Sequence, residues 1–284
     1  MTGTDAPGVL EVEDLGDGRW TAAHPTEDPE KRDVIFSGQI LGQMIMISAA
    51  SGEGKETKSI HCIFARAGSY SGGPIEYRLE SMHAGRAWAS DTITAFQGER
   101  LLARSLVLSN TVEPDLMRHS AAMPDVPSPD DCAIDRSILV VFPGSEVRPV
   151  DLPDLRSPDG SPVSYRWVRA PEALDGIAAN QAAIAWAEPG FTIGTAMQAH
   201  RDTVRISDSH RTISTGVISH TAHFHDHGDA DEWLLVETTA TFAGNGRVFG
   251  TGSVFTRGGT LVSTFGQDSM ARGVDGTLDP TRSM

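Results

Sequence analysis

Ile75, Tyr77 and Leu79 alternate with Glu76, Arg78 and Glu80, the period-two pattern of a strand with one face buried and one face wet. Similar runs predict strands around Val9–Glu13 and Arg19–Ala23 and over 59–66, 75–82, 87–96 and 100–109. The second half continues with runs at Glu146–Val150 and Ser164–Arg169 and at about 214–225, 232–242, 247–256 and 260–267. Arg257-Gly258-Gly259 predicts a tight hairpin turn between the last two, because glycine accepts the positive φ such turns demand. Two segments break the alternation. Gln39–Ala50 has helical length with apolar residues on every side, which suits a helix buried around most of its circumference; Ser37 and Gly38 precede it as N-terminal caps. Gly176–Ala187 reads as a second helix.

The order of elements occurs twice. Residues 71–107 and 229–267 share an alternating run, a Gly-Arg pair, a long second run, a turn with glycine and a third run, with Gly85-Arg86 recurring as Gly246-Arg247 and Phe96 as Phe255. A repeat of half the chain indicates a duplicated domain, since solenoid periods are only about 20–50 residues. Nine of the 16 prolines fall in 111–162, which marks the connecting segment. The expected organisation is a first repeat over 8–118, a Pro-rich connection over 119–145 and a second repeat over 146–272. Each repeat reads as a curved antiparallel sheet wrapped around one buried helix, an α+β fold.

The 284 residues are 39% hydrophobic, enough for cores of that size. A net charge of −15 argues against nucleic acid or an anionic membrane as partner, both of which select clustered positive charge. Only Cys62 and Cys132 are present, too few for a disulfide framework and consistent with a reducing compartment. Without a secretory leader, a membrane-length apolar run or a peroxisomal Ser-Lys-Leu ending, the expectation is a cytoplasmic protein.

Candidate chemistry is sparse. His220, His223, His225 and His227 resemble a metal-ligand cluster, but in a regular strand His220 faces away from the other three, so a structural or surface role is expected and no metal. His61 and Cys62 are neighbours on a strand and point to opposite faces, which rules them out as a nucleophile–base pair. Asp208, Ser209 and His210 are adjacent in one loop, a poor arrangement for a triad, and no Gly-x-Ser-x-Gly elbow exists.

Several stretches spread from about 20 to 272 resemble the acyl-CoA thioesterase II family: FSGQILGQ (36–43), FARAG (64–68), PIEYRLES (74–81), GRAWASDTITAFQG (85–98), AAMPDVPSPDD (121–131), EVRPV (146–150), DEWLL (231–235) and GRVFGTGSVFTRGGTLVSTFGQDSMAR (246–272). The resemblance implies a double hotdog of two fused repeats, hydrolysis of fatty acyl-CoA by a positioned water, no cofactor beyond the substrate's own CoA, and a homo-oligomer. Similar enzymes use a Gln at the end of the last strand, an Asp on the second-repeat helix and a Thr on the following strand. Gln267 matches the Gln; the Asp position falls on Pro189 beside Glu188, and the Thr position falls on Val217. Glu188 could take the carboxylate role with Gln267, helped by hydroxyls of Thr215, Ser219 or Thr221 on the Val217 face; equally, Glu188 could be a solvated helix-end residue and Gln267 a plain strand residue. Gly38 and Gln39, at a helix start where free amides point outward, are candidate substrate donors. Arg66, Arg86, Arg104, Arg247, Arg257 and Arg272 are candidates for the CoA phosphates. Both buried helices, with Trp186, offer an apolar wall for the acyl chain. A hotdog protein that binds acyl-CoA without hydrolysing it is the alternative; the His-Gly-Pro spacing of a hotdog hydratase is absent.

Overall fold

The computed structural model describes residues 6–22, 32–52, 54–138, 140–152, 155–205, 209 and 211–273. A short 3-10 helix, Ala6–Leu10, precedes β1 (Val12–Gly16) and β2 (Arg19–Ala22); α1 (Ser37–Ser51) follows, then β3 (Glu56–Phe64), β4 (Ile75–Ala84), β5 (Trp88–Gln97) and β6 (Arg100–Asn110). The second half supplies β7 (Glu146–Pro149), β8 (Val163–Arg169), α2 (Ile177–Ala187), α3 (Thr192–Ala199), β9 (Ile213–Phe224), β10 (Leu234–Gly244), β11 (Arg247–Thr256) and β12 (Leu261–Gly273). Among the described residues twelve strands form one sheet in the order β1-β2-β4-β5-β6-β3-β9-β12-β11-β10-β8-β7. The order reads the same from both ends, with β3 corresponding to β9 and β6 to β12, so the halves meet across the antiparallel pair Ser59↔His223 to Ile63↔Ser219. This is the double hotdog that the alternation and the repeat predict.

Most expected strands lie within a few residues of their predicted limits, and Gly259 (φ 90°) makes the turn between β11 and β12. Three details differ. The first strand begins at Val12 because the residues before it coil into the 3-10 helix. Phe36 is the N-cap of α1 and has no side-chain cap bond, so Ser37 and Gly38 are helical residues and not caps. The second half has a further helix, α3, separated from α2 by the 3-10 turn Glu188–Gly190; Pro189 cannot donate to the α2 ladder, and its ring excludes the preceding turn.

The two long helices carry most of the interior. Leu41, Met44, Ile45 and Ile47 of α1 are completely buried, each contributing roughly 1.5–3 kcal/mol on removal from water. The helices run antiparallel in close contact. A Cβ added at Gly38 would lie 2.2 Å from the Trp186 carbonyl oxygen, and one at Gly42 would lie 3.2 Å from the Ala182 carbonyl oxygen. Hydrogen replaces a side chain at both crossing points, so the first turn of α1 rests directly on the last turn of α2. The connecting segment covers the other face of the second-half sheet: Met123 and Val126 pack against Trp167, Leu235 and Phe255, and Trp167 Nε1 donates to the Pro127 carbonyl at 2.9 Å. Strand alternation therefore sends Trp167 to the back and leaves Ser164 and Arg166 facing the helices. Among the described residues no helix is long and apolar enough to cross a membrane.

Gly38→Ala should cost about 3 kcal/mol in urea unfolding, because a backbone carbonyl cannot swing aside. Gly42→Ala should lose only about 1 kcal/mol; equal, small losses at both positions would mean that the helices are free to separate.

Candidate active site

A cavity of about 920 Å³ opens between the start of α1 (Phe36, Ser37, Ile40), the end of β3 (Phe64, Arg66), the α2–α3 turn (Pro189, Gly190, Phe191) and the start of β9 (Thr215, Gly216, Val217), with β8 closing one side through Ser164 and Arg166. Pro189 and Val217, the positions that depart from the resembled pattern, are both on its wall. Apolar and arginine side chains alternate around it, a volume suited to a ligand of several tens of atoms.

Directly behind the Pro189 wall lies a polar cluster closed to solvent. Glu188 and His220 are fully buried and Gln267 is 1% exposed. Gln267 of β12 stands opposite His220 of β9 in the antiparallel ladder, which aims both side chains at the interior. Glu188 ends α2, its backbone N–H still bonded to the Ile184 carbonyl, and its side chain reaches the pair from the helix layer. His220 Nε2 lies 2.9 Å from Glu188 Oε2, and His220 Nδ1 lies 3.1 Å from Gln267 Oε1. Ser263 donates its hydroxyl to Glu188 Oε1. Gln267 Nε2 donates to Ser269 Oγ at 2.8 Å and to the Pro189 carbonyl at 3.3 Å. Phe265 stacks on the imidazole with centroids 5.6 Å apart.

This set of partners restricts where the protons sit. The Pro189 carbonyl only accepts, so the Gln267 amide must present nitrogen to it and oxygen to His220. His220 Nδ1 therefore carries the hydrogen that Gln267 Oε1 accepts. Glu188 is thus buried and not solvated, and it is joined to Gln267 through His220, a residue expected to have only a structural or surface role. Its place opposite Gln267 is set by the long-range β9–β12 pairing, which no local pattern in the sequence signals.

Other expectations divide. Thr215 is buried on the cavity wall, and Arg66 lies at its exposed edge. Ser219 does not share a face with Val217. The β9–β12 register shifts between Asp268 and Ser269, which leaves Ile218 as the extra residue of a β-bulge; beyond it His220, Ala222 and Phe224 point inward, so Ser219 and Thr221 turn to the outer face, where Thr221 Oγ1 meets His61 Nδ1 at 2.5 Å. Gly38 faces the Trp186 carbonyl and not the cavity. Gln39 is completely buried one layer away from the cavity, with both amide atoms unpartnered; Ser37, whose buried hydroxyl also lacks a partner, lines the cavity instead. Arg86 sits exposed in the β4–β5 turn, beyond the part of β4 that packs on the helix, and does not reach the cavity. Arg104 is bonded to Thr94, Arg247 to Asp268 and Arg257 to Asp130. The arginines on the wall are Arg32, Arg66, Arg166 and Arg211. Trp186 packs edge-on to Phe142 and is not part of the acyl wall. Cys62 is core, its thiol pushed up by burial. His223 and His225 are exposed, His225 on Thr264, and His227 pairs with Glu56. Ser209 lies on the cavity wall, whereas Asp208 and His210 fall outside the described residues.

Comparison with known proteins agrees with this architecture. The family model for the acyl-CoA thioesterase C-terminal domain matches residues 121–271. Acyl-coenzyme A thioesterase 8 of Homo sapiens is 26% identical over 290 residues, covering 93% of this chain and 88% of the relative; its Mus musculus counterpart is 24% identical over 289 residues with the same coverage. An acyl-CoA thioesterase II from Mycobacterium marinum superposes with a TM-score of 0.79 at 23% identity, over 95% of this chain and 99% of that one. A tesB protein from Mycobacterium avium subs paratuberculosis gives 0.78 at 20%, over 95% and 100%. The two structures share the fold.

His220→Ala should destabilise the protein by about 3 kcal/mol in chemical denaturation, because it strips a buried carboxyl and a buried amide of a partner at once. His223→Ala, on the exposed face of the same strand, should stay within about 0.5 kcal/mol; a loss at His220 no larger than at His223 would mean that the buried bonds contribute nothing.

Proposed function

The chain belongs to the acyl-CoA thioesterase family, and from that membership we propose that it hydrolyses acyl-CoA to a free acid and CoA in the cavity between α1 and the Glu188–Gly190 turn. The observation that carries the site is the arrangement across that gap. On one side lies a helix N-terminus with buried, unpartnered polar groups at Ser37 and Gln39. On the other is a turn backed by the Glu188–His220–Gln267 cluster. The first turn of a helix has amides without intrahelical partners, and with the Ser37 hydroxyl they suit a thioester oxygen on which negative charge develops.

Water is the nucleophile in this reading. The Gln267 Nε2 to Pro189 carbonyl contact, at 3.3 Å, is the longest bond of the cluster, and a water inserted there would accept from Gln267 while facing the cavity. Its oxygen bonds to the thioester carbon, and its proton passes, through a further water admitted behind the Pro189 wall, to Glu188. The carboxylate retains lone pairs for this task beyond those used by His220 and Ser263. Collapse of the tetrahedral intermediate breaks the C–S bond, and the sulfur departs as the thiol with that proton. His220 positions both partners; Thr215 and Val217 shape the wall. Thr215 thereby keeps a place beside the reaction, and Ser219 has none.

The test is free-thiol release from short- to long-chain acyl-CoAs by wild type, Gln267→Ala and Glu188→Gln. Both variants should lose about 100-fold in kcat. Equal rates in all three would remove Gln267 and Glu188 from the mechanism. Binding of acyl-CoA with no release by wild type would make the protein a carrier of thioesters and not an enzyme.

A further inference from the structure

We propose that Arg166 makes this protein selective for acyl-CoAs whose acyl chain bears a terminal carboxylate, an inference that rests on the thioesterase reading above and names the substrate class of that site. The cavity is charged in a way the chain is not. Against a net charge of −15, the described residues on its wall include four arginines and one aspartate. Arg66 and Arg211 are exposed and stand at the opening, where the phosphates of CoA, strongly hydrated, can remain in contact with water.

Arg166 differs from both. It projects from β8 beside Ser164, which is 3% exposed (Thr195 is 1% exposed), and its guanidinium lies 4.7 Å from the centroid of the buried Phe191 ring. Arg166 is half-buried; a guanidinium withdrawn from much of its water favours an acceptor or a counter-ion, and the described residues supply little. Thr195 donates its hydroxyl to the Phe191 carbonyl at 2.9 Å, so Ser164, 2.6 Å from Thr195 Oγ1, must donate to Thr195. The Ser164 oxygen is then left to accept from Arg166 Nη1. This relay holds the guanidinium in one orientation and occupies one of its five donors. Among the described residues Arg166 forms no ion pair within 4.0 Å.

Asp135 is the acidic residue of the wall and does not neutralise the site by contact. Its carboxylate accepts the backbone N–H and the hydroxyl of Ser137 at 2.9 and 2.6 Å, which hold its pKa below the usual range. Burial lowers the Arg166 pKa to about 10, with Asp135 acting in the opposite direction. The group remains cationic at neutral pH, fixed, walled by an aromatic face, and short of acceptors. A planar carboxylate meets the remaining donors in bidentate geometry; a methyl terminus leaves them desolvated and unpaired, which is how polar sites reject apolar analogues.

The experiment compares matched substrates: adipoyl-CoA with hexanoyl-CoA, and sebacoyl-CoA with decanoyl-CoA, in wild type, Arg166→Met and Arg166→Lys. Wild type should favour the ω-carboxyacyl member of at least one pair by about tenfold or more in kcat/KM. Arg166→Met should erase that ratio, and Arg166→Lys, which keeps the charge but not the fork, should retain part of it. No preference at either length, or a ratio unaltered in Arg166→Met, would overturn the proposal. So would an equal rise in KM for both members of each pair with binding of free CoA weakened, which would assign Arg166 to a CoA phosphate. If no thioester is hydrolysed at all, the thioesterase reading fails separately. Calorimetric titration of free adipate and sebacate against hexanoate and decanoate then decides the Arg166 site. Diacid binding that weakens in Arg166→Lys supports it, and absence of diacid binding to wild type overturns it. The same titration stands in should Arg166→Met not fold.

Discussion

The contact between Gly38 and the Trp186 carbonyl is the constraint from which the site follows. With no side chain at position 38, α1 descends onto α2 until its first turn touches the last turn of its partner. That approach brings a helix N-terminus, with its outward amides, against the point where Pro189 ends α2. A bulkier residue would hold the helices apart and remove the facing walls of the cavity together. The twofold correspondence of the sheet is incidental to this: β3 and β9 unite the halves, but it is the helix crossing that makes one half complete the site of the other.

Two polar systems flank that crossing, and they solve burial differently. Glu188, His220 and Gln267 satisfy one another and Ser263 and Ser269 share the remainder, so the cluster can lie in full enclosure without uncompensated cost. Arg166 is half-buried, and among the described residues its hydrogen-bond acceptor is Ser164. In the proposed reading the first pattern holds groups ready beside the reaction, and the second is a charge whose complement the ligand brings.

Much of this was legible from residues alone. Strict alternation, as in Ile75, Tyr77 and Leu79, gave strand limits within a few residues, since a half-buried strand leaves no freedom in which positions are apolar. The all-round apolar character of QILGQMIMISAA marked α1 as interior. Glu188 and Gln267 could be paired from the resemblance, and the structure joins them. The bulge at Ile218 was not legible: it depends on how β9 and β12 twist against one another, and it reverses the facing of every residue after it, which is why Ser219 was misplaced. Alternation separates His220 from His223, His225 and His227, but only the β9–β12 pairing sets it opposite Gln267.

The sequence by itself therefore determined the duplicated antiparallel architecture, the two interior helices and the acidic, two-cysteine character of the chain, because these are carried by local periodicity and composition. Only the tertiary structure decided which polar residues meet. Whether Arg166 or Arg86 faces the cavity, whether Ser37 or Gln39 lines it, and that His220 lies between Glu188 and Gln267 are matters of register, bulge position and helix approach, set by contacts between residues far apart in the chain that no local pattern encodes.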